Sequence, residues 1–364
     1  MPSRRKSTAT PVAAPVPTSP VRQFFDALMS SYPARQKESR RKKFNPDVLV
    51  RFCKNMGYDI SEEYCQPGPE LAEACLKICE EATMDPVYLV PLKRPLPLGV
   101  TFAELCYPDQ PFELKVFVTI YTAVIIYLDD AITQTPDLVL PQLREYLSSF
   151  SQGGLEQPVL ALMHRYLTVE ARKIWGPVGS AAVGKATLDF YLGLLIEAKF
   201  PNGLQATKTS ARFPAFLRYK TGASEAYAFF LFPDCQYPEE DYMETFLPAF
   251  PDIIEVTNGM NDVLSFYKEC VVGTEWNTYF PNMARILGRD PIAVLEETCD
   301  HVVRRSREVL STLSGKPNAR RAFEIYLKGF VMWHVMEKRY RLDEVGLHFK
   351  YASPSSATST AASA

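Results

Sequence analysis

No CxxC pair, no HExxH helix pair, no GxxxxGK[ST] loop and no strand-GxGxxG-helix unit occurs in the sequence. Those absences remove the usual footholds of structural zinc, zinc hydrolysis and nucleotide-dependent chemistry. Histidine is scarce, and the four present (His164, His301, His334 and His348) are scattered, so they read as ordinary core or surface residues. An excess of charge of one sign is missing too. Lys and Arg total 40 against 42 Asp and Glu, a formal net charge of −2, so no global field favours nucleic acid or an anionic membrane. Any anion must be held by a local cluster. The chain opens without the apolar core of a secretory signal, and its eight cysteines (Cys53, Cys65, Cys75, Cys79, Cys106, Cys235, Cys270 and Cys299) read as reduced thiols of a cytoplasmic protein. Cys75 and Cys79 are one helical turn apart, but no nearby His or Cys completes a zinc set.

Hairpin signals between alternating strands are also absent, and what is present reads as helix after helix. Apolar residues recur at mixed three and four spacings over Phe24 to Met29, Glu70 to Glu81, Val159 to Ile174, Ser180 to Ala198, Pro291 to Leu313 and Ala319 to Leu342. Pro67-Gly68-Pro69, Gly153-Gly154, Pro201-Asn202-Gly203 and Gly315-Lys316-Pro317 punctuate them. Residues 1–20 and 351–364, rich in small and polar residues, read as disordered tails around one all-α domain over 21–350. The stretch Val116 to Leu128 is β-branched enough for a strand but too long for one. It is too short and too little apolar to span a membrane, so the expectation is a buried central helix and no transmembrane segment.

That helix delivers Asp129-Asp130 at its C-terminal end, where the helix dipole is negative and adjacent carboxylates repel. A cation would relieve the conflict. A second cluster lies in Asn261-Asp262-Val263-Leu264-Ser265-Phe266-Tyr267-Lys268-Glu269, where Asn, Ser and Glu recur every fourth residue and stack on one face of a helix. Oxygen donors in such a column suit a hard cation such as Mg²⁺. The flanking Ile253, Ile254, Val256 and Met260 are apolar enough to bury the helix, and buried polar groups need partners.

Together the clusters resemble the metal-binding pair of class I terpene synthases, an Asp-rich motif followed by [ND]Dxx[ST]xx[KR]E. Phe330 to Leu342, FVMWHVMEKRYRL, resembles the Arg-Tyr signature of the trichodiene synthase family, and Arg218 lies at the position of that family's diphosphate-sensing arginine. The resemblance runs in order from about Asp85 to Leu342. It implies a single-domain helical bundle around a cavity that ionises and cyclises farnesyl diphosphate to a sesquiterpene, with three Mg²⁺ held by Asp129, Asn261, Ser265 and Glu269. It implies Arg218, Lys268, Arg339 and Tyr340 as diphosphate donors, Asp130 and Thr221 as supports behind them, and Gly222 at a helix break whose carbonyl faces substrate. Trp333 is seven residues before Tyr340, so on one continuous helix both share a face, and it becomes the first candidate for the cavity wall; Phe117 and Tyr121 follow. Thr133 stands at or near a position where relatives often carry an acid, and Thr221 where they often carry an acid or an amide. A homodimer is compatible with the resemblance without being fixed by it. The alternatives are a chain-elongating prenyl diphosphate synthase, which carries a second DDxxD where this chain has NDVLSFYKE, and a non-catalytic helical protein that keeps the fold.

Overall fold

Pro111 and Pro136 bracket the longest run of apolar sequence, and between them one helix runs without interruption from Phe112 to Gln134. In the computed structural model, the described residues are 41, 43–149, 157–200, 203, 206–273 and 278–352. Contacts divide the chain into residues 1–44 and 45–364, and the fold set out below is that of the second unit. The helix expected at Phe24 to Met29 lies outside the described residues, as do most of both tails.

The helices that carry the site are α1 (Leu96–Cys106), α2 (Phe112–Gln134), α3 (Pro177–Lys199), α4 (Phe213–Thr221), α5 (Ser224–Phe229), α6 (Phe250–Phe266), α7 (Pro291–Thr312) and α8 (Pro317–Met336). Proline sits in the first turn of α3, α4, α6, α7 and α8, where its missing N–H costs nothing. Among the described residues there is no strand, only an isolated parallel bridge between Tyr64 and Tyr351. The architecture is all-α, as expected.

α2 is the central element. Val118, Thr119, Ile120 and Val124 are fully or almost fully buried, so packing on all sides supplies what β-branched residues lack in helix propensity. By length and composition this helix could cross a membrane, which corrects the expectation that the stretch is too short; most of it is buried inside the bundle. α1 packs between α2 and α8. Its contact with α8 is so close that a Cβ at Gly329 would stand 2.0 Å from the Leu105 carbonyl oxygen, so only glycine fits there.

Three expected helices depart from regularity. The segment Val159 to Ile174 is broken by a π-helical turn, Tyr166–Glu170, between Pro158–Arg165 and Ala171–Ile174. α6 passes at Phe266 into a second π turn, Tyr267–Val272. The helix expected to reach Leu342 stops at Met336; Glu337 is extended, Lys338–Tyr340 forms a 3₁₀ turn, and Arg341 takes a φ of +59°. π turns are rare and recur at functional sites. Here one of them holds Lys268 and Glu269.

Candidate active site

Asn261 and Ser265 project from the last turns of α6, while Glu269 belongs to the π turn that follows. The column expected from the spacing is therefore not a continuous α-helical one. The wider turn rotates Glu269 relative to its place on a regular helix, and the π turn packs against the Lys338–Tyr340 turn. Glu269 consequently acts electrostatically on Tyr340. Ser265 is buried at 3% exposure and makes no side-chain hydrogen bond with a described residue.

Arg218, near the end of α4, reaches across to the same motif. Its Nε donates to Asp262 Oδ1 at 2.7 Å and its Nη2 to Asn261 Oδ1 at 2.7 Å. Burial raises the Asp262 carboxyl more than the Arg218 guanidinium lowers it. Asp262 stands inside the motif but off the face of Asn261, Ser265 and Glu269, and its partnership with Arg218 identifies it as the arginine's seat. Thr221 makes no such bond to Arg218 and turns its methyl toward Gly193 of α3.

The break expected at Gly222 is present, for a different reason than backbone freedom. Gly222 has an ordinary φ of −88°, and the left-handed conformation falls on Ala223 at φ +50°. What glycine supplies is space, since a Cβ would stand 2.0 Å from Asn258 Oδ1 and 3.0 Å from Arg218 Nη1. Asn258 Oδ1 is itself buried and has no hydrogen-bond partner among the described residues.

Asp129 and Asp130 lie one turn before the end of α2 rather than at its terminus. The Asp129 side chain is exposed, although protein atoms crowd its carboxyl. Its carboxyl is raised by that crowding and by Asp130, against the lowering fields of Arg339, Lys268 and Arg218. The three cations named from sequence thus all act electrostatically on it. Thr133 turns its hydroxyl back to the Asp130 carbonyl at 2.8 Å, so it does not act in the cleft as an acid would.

A carboxylate that sequence reasoning missed stands opposite. Lys185 pairs with Glu225, Asp189 with Lys220, and Gly193 meets Thr221, which sets α3 antiparallel to the α4–α5 segment. One turn further, Glu197 faces Arg218. Burial and the Asp129 charge push its carboxyl up to about 7 against the lowering effect of Arg218. The signal that could have found it is slight. Glu197 is the one acid between Phe190 and Lys199, in a run that is otherwise almost wholly apolar.

Tyr340 is buried, and burial drives its hydroxyl upward so that it remains a neutral donor. Arg339 is exposed, with its guanidinium 5.7 Å from the Tyr340 ring centre. Trp333 and Tyr340 do meet, with ring centres 5.7 Å apart, but by the fold-back after Met336 and not by a shared helix face. The Trp333 indole N–H donates to the Leu98 carbonyl at 3.0 Å, and its ring meets Phe102 edge-on at 5.2 Å. Phe117 and Tyr121 sit deeper, in a fully buried cluster with Trp175 and Phe230.

His334, read from sequence as unremarkable, is fully buried against Asn261. Its Nδ1 lies 2.8 Å from the Phe330 carbonyl oxygen and its Nε2 3.1 Å from Asn261 Nδ2. Burial, with Arg339 and Arg218 nearby, holds the ring neutral and pulls its pKa down to about 3.

The profile of the family described as trichodiene synthase (TRI5) matches residues 92–355. The chain belongs to the trichodiene synthase family. Its relatives include an (E)-beta farnesene synthase of Metarhizium brunneum, 30% identical over 305 residues that cover 83% of this chain and 89% of that one. A longiborneol synthase of Gibberella zeae is 30% identical over 298 residues, 79% of this chain and 84% of the other. Among solved structures, the linalool/nerolidol synthase of Streptomyces clavuligerus superposes with a TM-score of 0.56 at 12% identity, covering 76% of this chain and 99% of that one. That likeness shows the fold, the all-α fold of class I terpene synthases. This family member is a terpene synthase, a lyase acting on prenyl diphosphates.

Proposed function

We propose that the enzyme ionises and cyclises farnesyl diphosphate with Mg²⁺, releasing diphosphate and a sesquiterpene. The observation that carries this reading is the pair of hydrogen bonds from Arg218 to Asn261 and Asp262, with Arg218, Lys268 and Arg339 all acting electrostatically on Asp129. Three helices and two turns that are far apart in sequence thereby surround one polar cleft above an aromatic core.

The donor set fits Mg²⁺. Asp129, Glu197 and Glu269 are hard oxygen donors, joined by Asn261 and Ser265. Neither Asp129 nor Glu197 makes a hydrogen bond or ion pair with a described residue, and the Asp129 charge raises Glu197, a conflict that a cation resolves. Asp129 and Glu197 would hold metal on one side of the cleft, and Asn261, Ser265 and Glu269 on the other. Among the described residues no three His, Cys, Asp or Glu side chains converge, so substrate and water oxygens would complete the coordination. Bound Mg²⁺ supplies Lewis-acid stabilisation of the departing diphosphate.

The protein's own residues do the rest. Arg218 and Arg339 present planar forks to phosphate oxygens, Lys268 a compact charge, and Tyr340 a neutral hydroxyl. These donors favour the bond-breaking transition state because the charge on the leaving oxygen grows as the bond breaks. At an effective dielectric near 20, a unit-charge contact at about 4 Å is worth on the order of 4 kcal/mol before desolvation losses. Since about 1.4 kcal/mol is tenfold in rate, a few such contacts suffice. The ring of Trp333 then offers a face to the carbocation, a contact worth roughly 0.5 to 2 kcal/mol. Phe117 and Tyr121, expected as further wall residues, are instead packed into the aromatic cluster with Trp175 and Phe230 and back the site without facing it. Relatives at equal identity bear the names of different products, so the skeleton made here follows from this cavity's own contour.

Purified protein given farnesyl diphosphate and Mg²⁺ should release a sesquiterpene hydrocarbon or alcohol, read by gas chromatography with mass detection. Asp129→Ala and Asn261→Ala should each lose most of that activity. Recovery of intact farnesyl diphosphate, or of longer prenyl diphosphates when isopentenyl diphosphate is added, would refute the proposal.

A further inference from the structure

Asn261 can coordinate a metal only through Oδ1, so the orientation of its amide decides whether it is a ligand at all. An amide can turn over at little intrinsic cost, and its surroundings must choose. Here the surroundings choose twice. The Phe330 carbonyl oxygen, 2.8 Å from His334 Nδ1, can only accept, so Nδ1 must carry the ring proton. In the neutral ring, Nε2 is then left with a lone pair. That lone pair faces Asn261 Nδ2 at 3.1 Å, and on the opposite side Arg218 Nη2 donates to Asn261 Oδ1 at 2.7 Å.

A flipped amide would set oxygen against the imidazole lone pair and N–H against the guanidinium, so two attractions would become two repulsions. The two constraints are not equally durable. When Arg218 turns from Asn261 to a diphosphate, its hold on Oδ1 ends, whereas His334 lies 0% exposed among rings with nowhere to turn. Phe330 is 4.6 Å away, Trp333 4.9 Å and Tyr340 4.3 Å between ring centres. We infer that His334 is the positioning residue of the second metal motif, fixing the Asn261 amide so that Oδ1 faces the cleft. This rests on the metal role proposed above for Asn261.

The test measures metal binding, not turnover. Mg²⁺ is titrated calorimetrically into protein saturated with inorganic diphosphate, and the melting temperature is taken without metal. His334→Leu should weaken Mg²⁺ binding about ten- to hundredfold, the usual effect of losing a group that orients a ligand. His334→Gln, whose amide oxygen can reach the place of Nε2, should regain most of it. If the Leu variant does not fold, His334→Asn, polar but too short to reach Asn261, takes its place. Nitrogen-15 NMR of the wild-type imidazole should show the Nδ1–H tautomer. Wild-type Mg²⁺ affinity in a folded Leu or Asn variant, or an Nε2–H tautomer, overturns the inference alone. A wild-type protein that takes up no Mg²⁺ with diphosphate overturns the metal reading itself.

Discussion

Glu197 shows at the scale of one residue how function works against stability in this fold. Its carboxyl, raised to about 7 by burial and by Asp129, titrates near 4.5 once the chain unfolds. The folded state therefore binds the proton more tightly than the unfolded one. That contribution is present below the unfolded value and is lost as pH rises toward 7. In metal-free protein Glu197→Gln removes the penalty. The melting temperature of the variant should match wild type near pH 4.5 and exceed it increasingly toward pH 7, by scanning fluorimetry in chelator. The same variant should bind Mg²⁺ with diphosphate more weakly. A gap that does not widen with pH would show that Glu197 is not under strain in the folded state.

At the scale of helices and turns, most boundaries could be read because their determinants are local. Pro177, Pro291 and Pro317 open α3, α7 and α8 within a few residues of the positions that apolar spacing indicates, and Glu70 to Glu81 is recovered almost to the residue. The end of α8 could not be read, because Glu337 and Lys338 are compatible with helix and nothing local marks a stop. The chain leaves the helix to lay Tyr340 against Trp333 and His334. The π turn at Tyr267 is equally silent in sequence. At the site, residues within motifs were legible, whereas Glu197, His334 and Asn258 acquire meaning only through neighbours on other helices. The break between α4 and α5 makes this concrete. At Gly222 a methyl group would collide with Asn258 Oδ1, so Gly222→Ala should cost about 1–3 kcal/mol of stability, as overpacking does. It should also displace Arg218 and lower kcat. Adding Asn258→Ala should restore part of both, and strict additivity of the two changes would argue against the contact.

For the molecule as a whole, the polar cleft is where separate parts of the bundle meet. α2 brings Asp129, α3 Glu197, α4 Arg218, α6 Asn261 and Ser265, the π turn Lys268 and Glu269, and the segment after α8 Arg339 and Tyr340. A net charge of −2 gives no long-range field to gather a polyanion, so the local balance of carboxylates and cations must do so. Neither sign suffices alone. Mg²⁺ without diphosphate would meet Arg218, Lys268 and Arg339, and diphosphate without Mg²⁺ would meet Asp129, Glu197 and Glu269. Together each neutralises what opposes the other and ties the helices to one another. A ligand bound only by the folded state stabilises it by about 2.7 kcal/mol at a hundred times its dissociation constant. Melting temperature should therefore rise clearly with Mg²⁺ and inorganic diphosphate together, and by more than the sum of the two separate shifts. Arg218→Ala, which removes a cation from the diphosphate side, should reduce this synergy while leaving a residual Mg²⁺ response. Separate shifts that simply add would mean that the two ligands bind apart, and the cleft would not be the single site proposed.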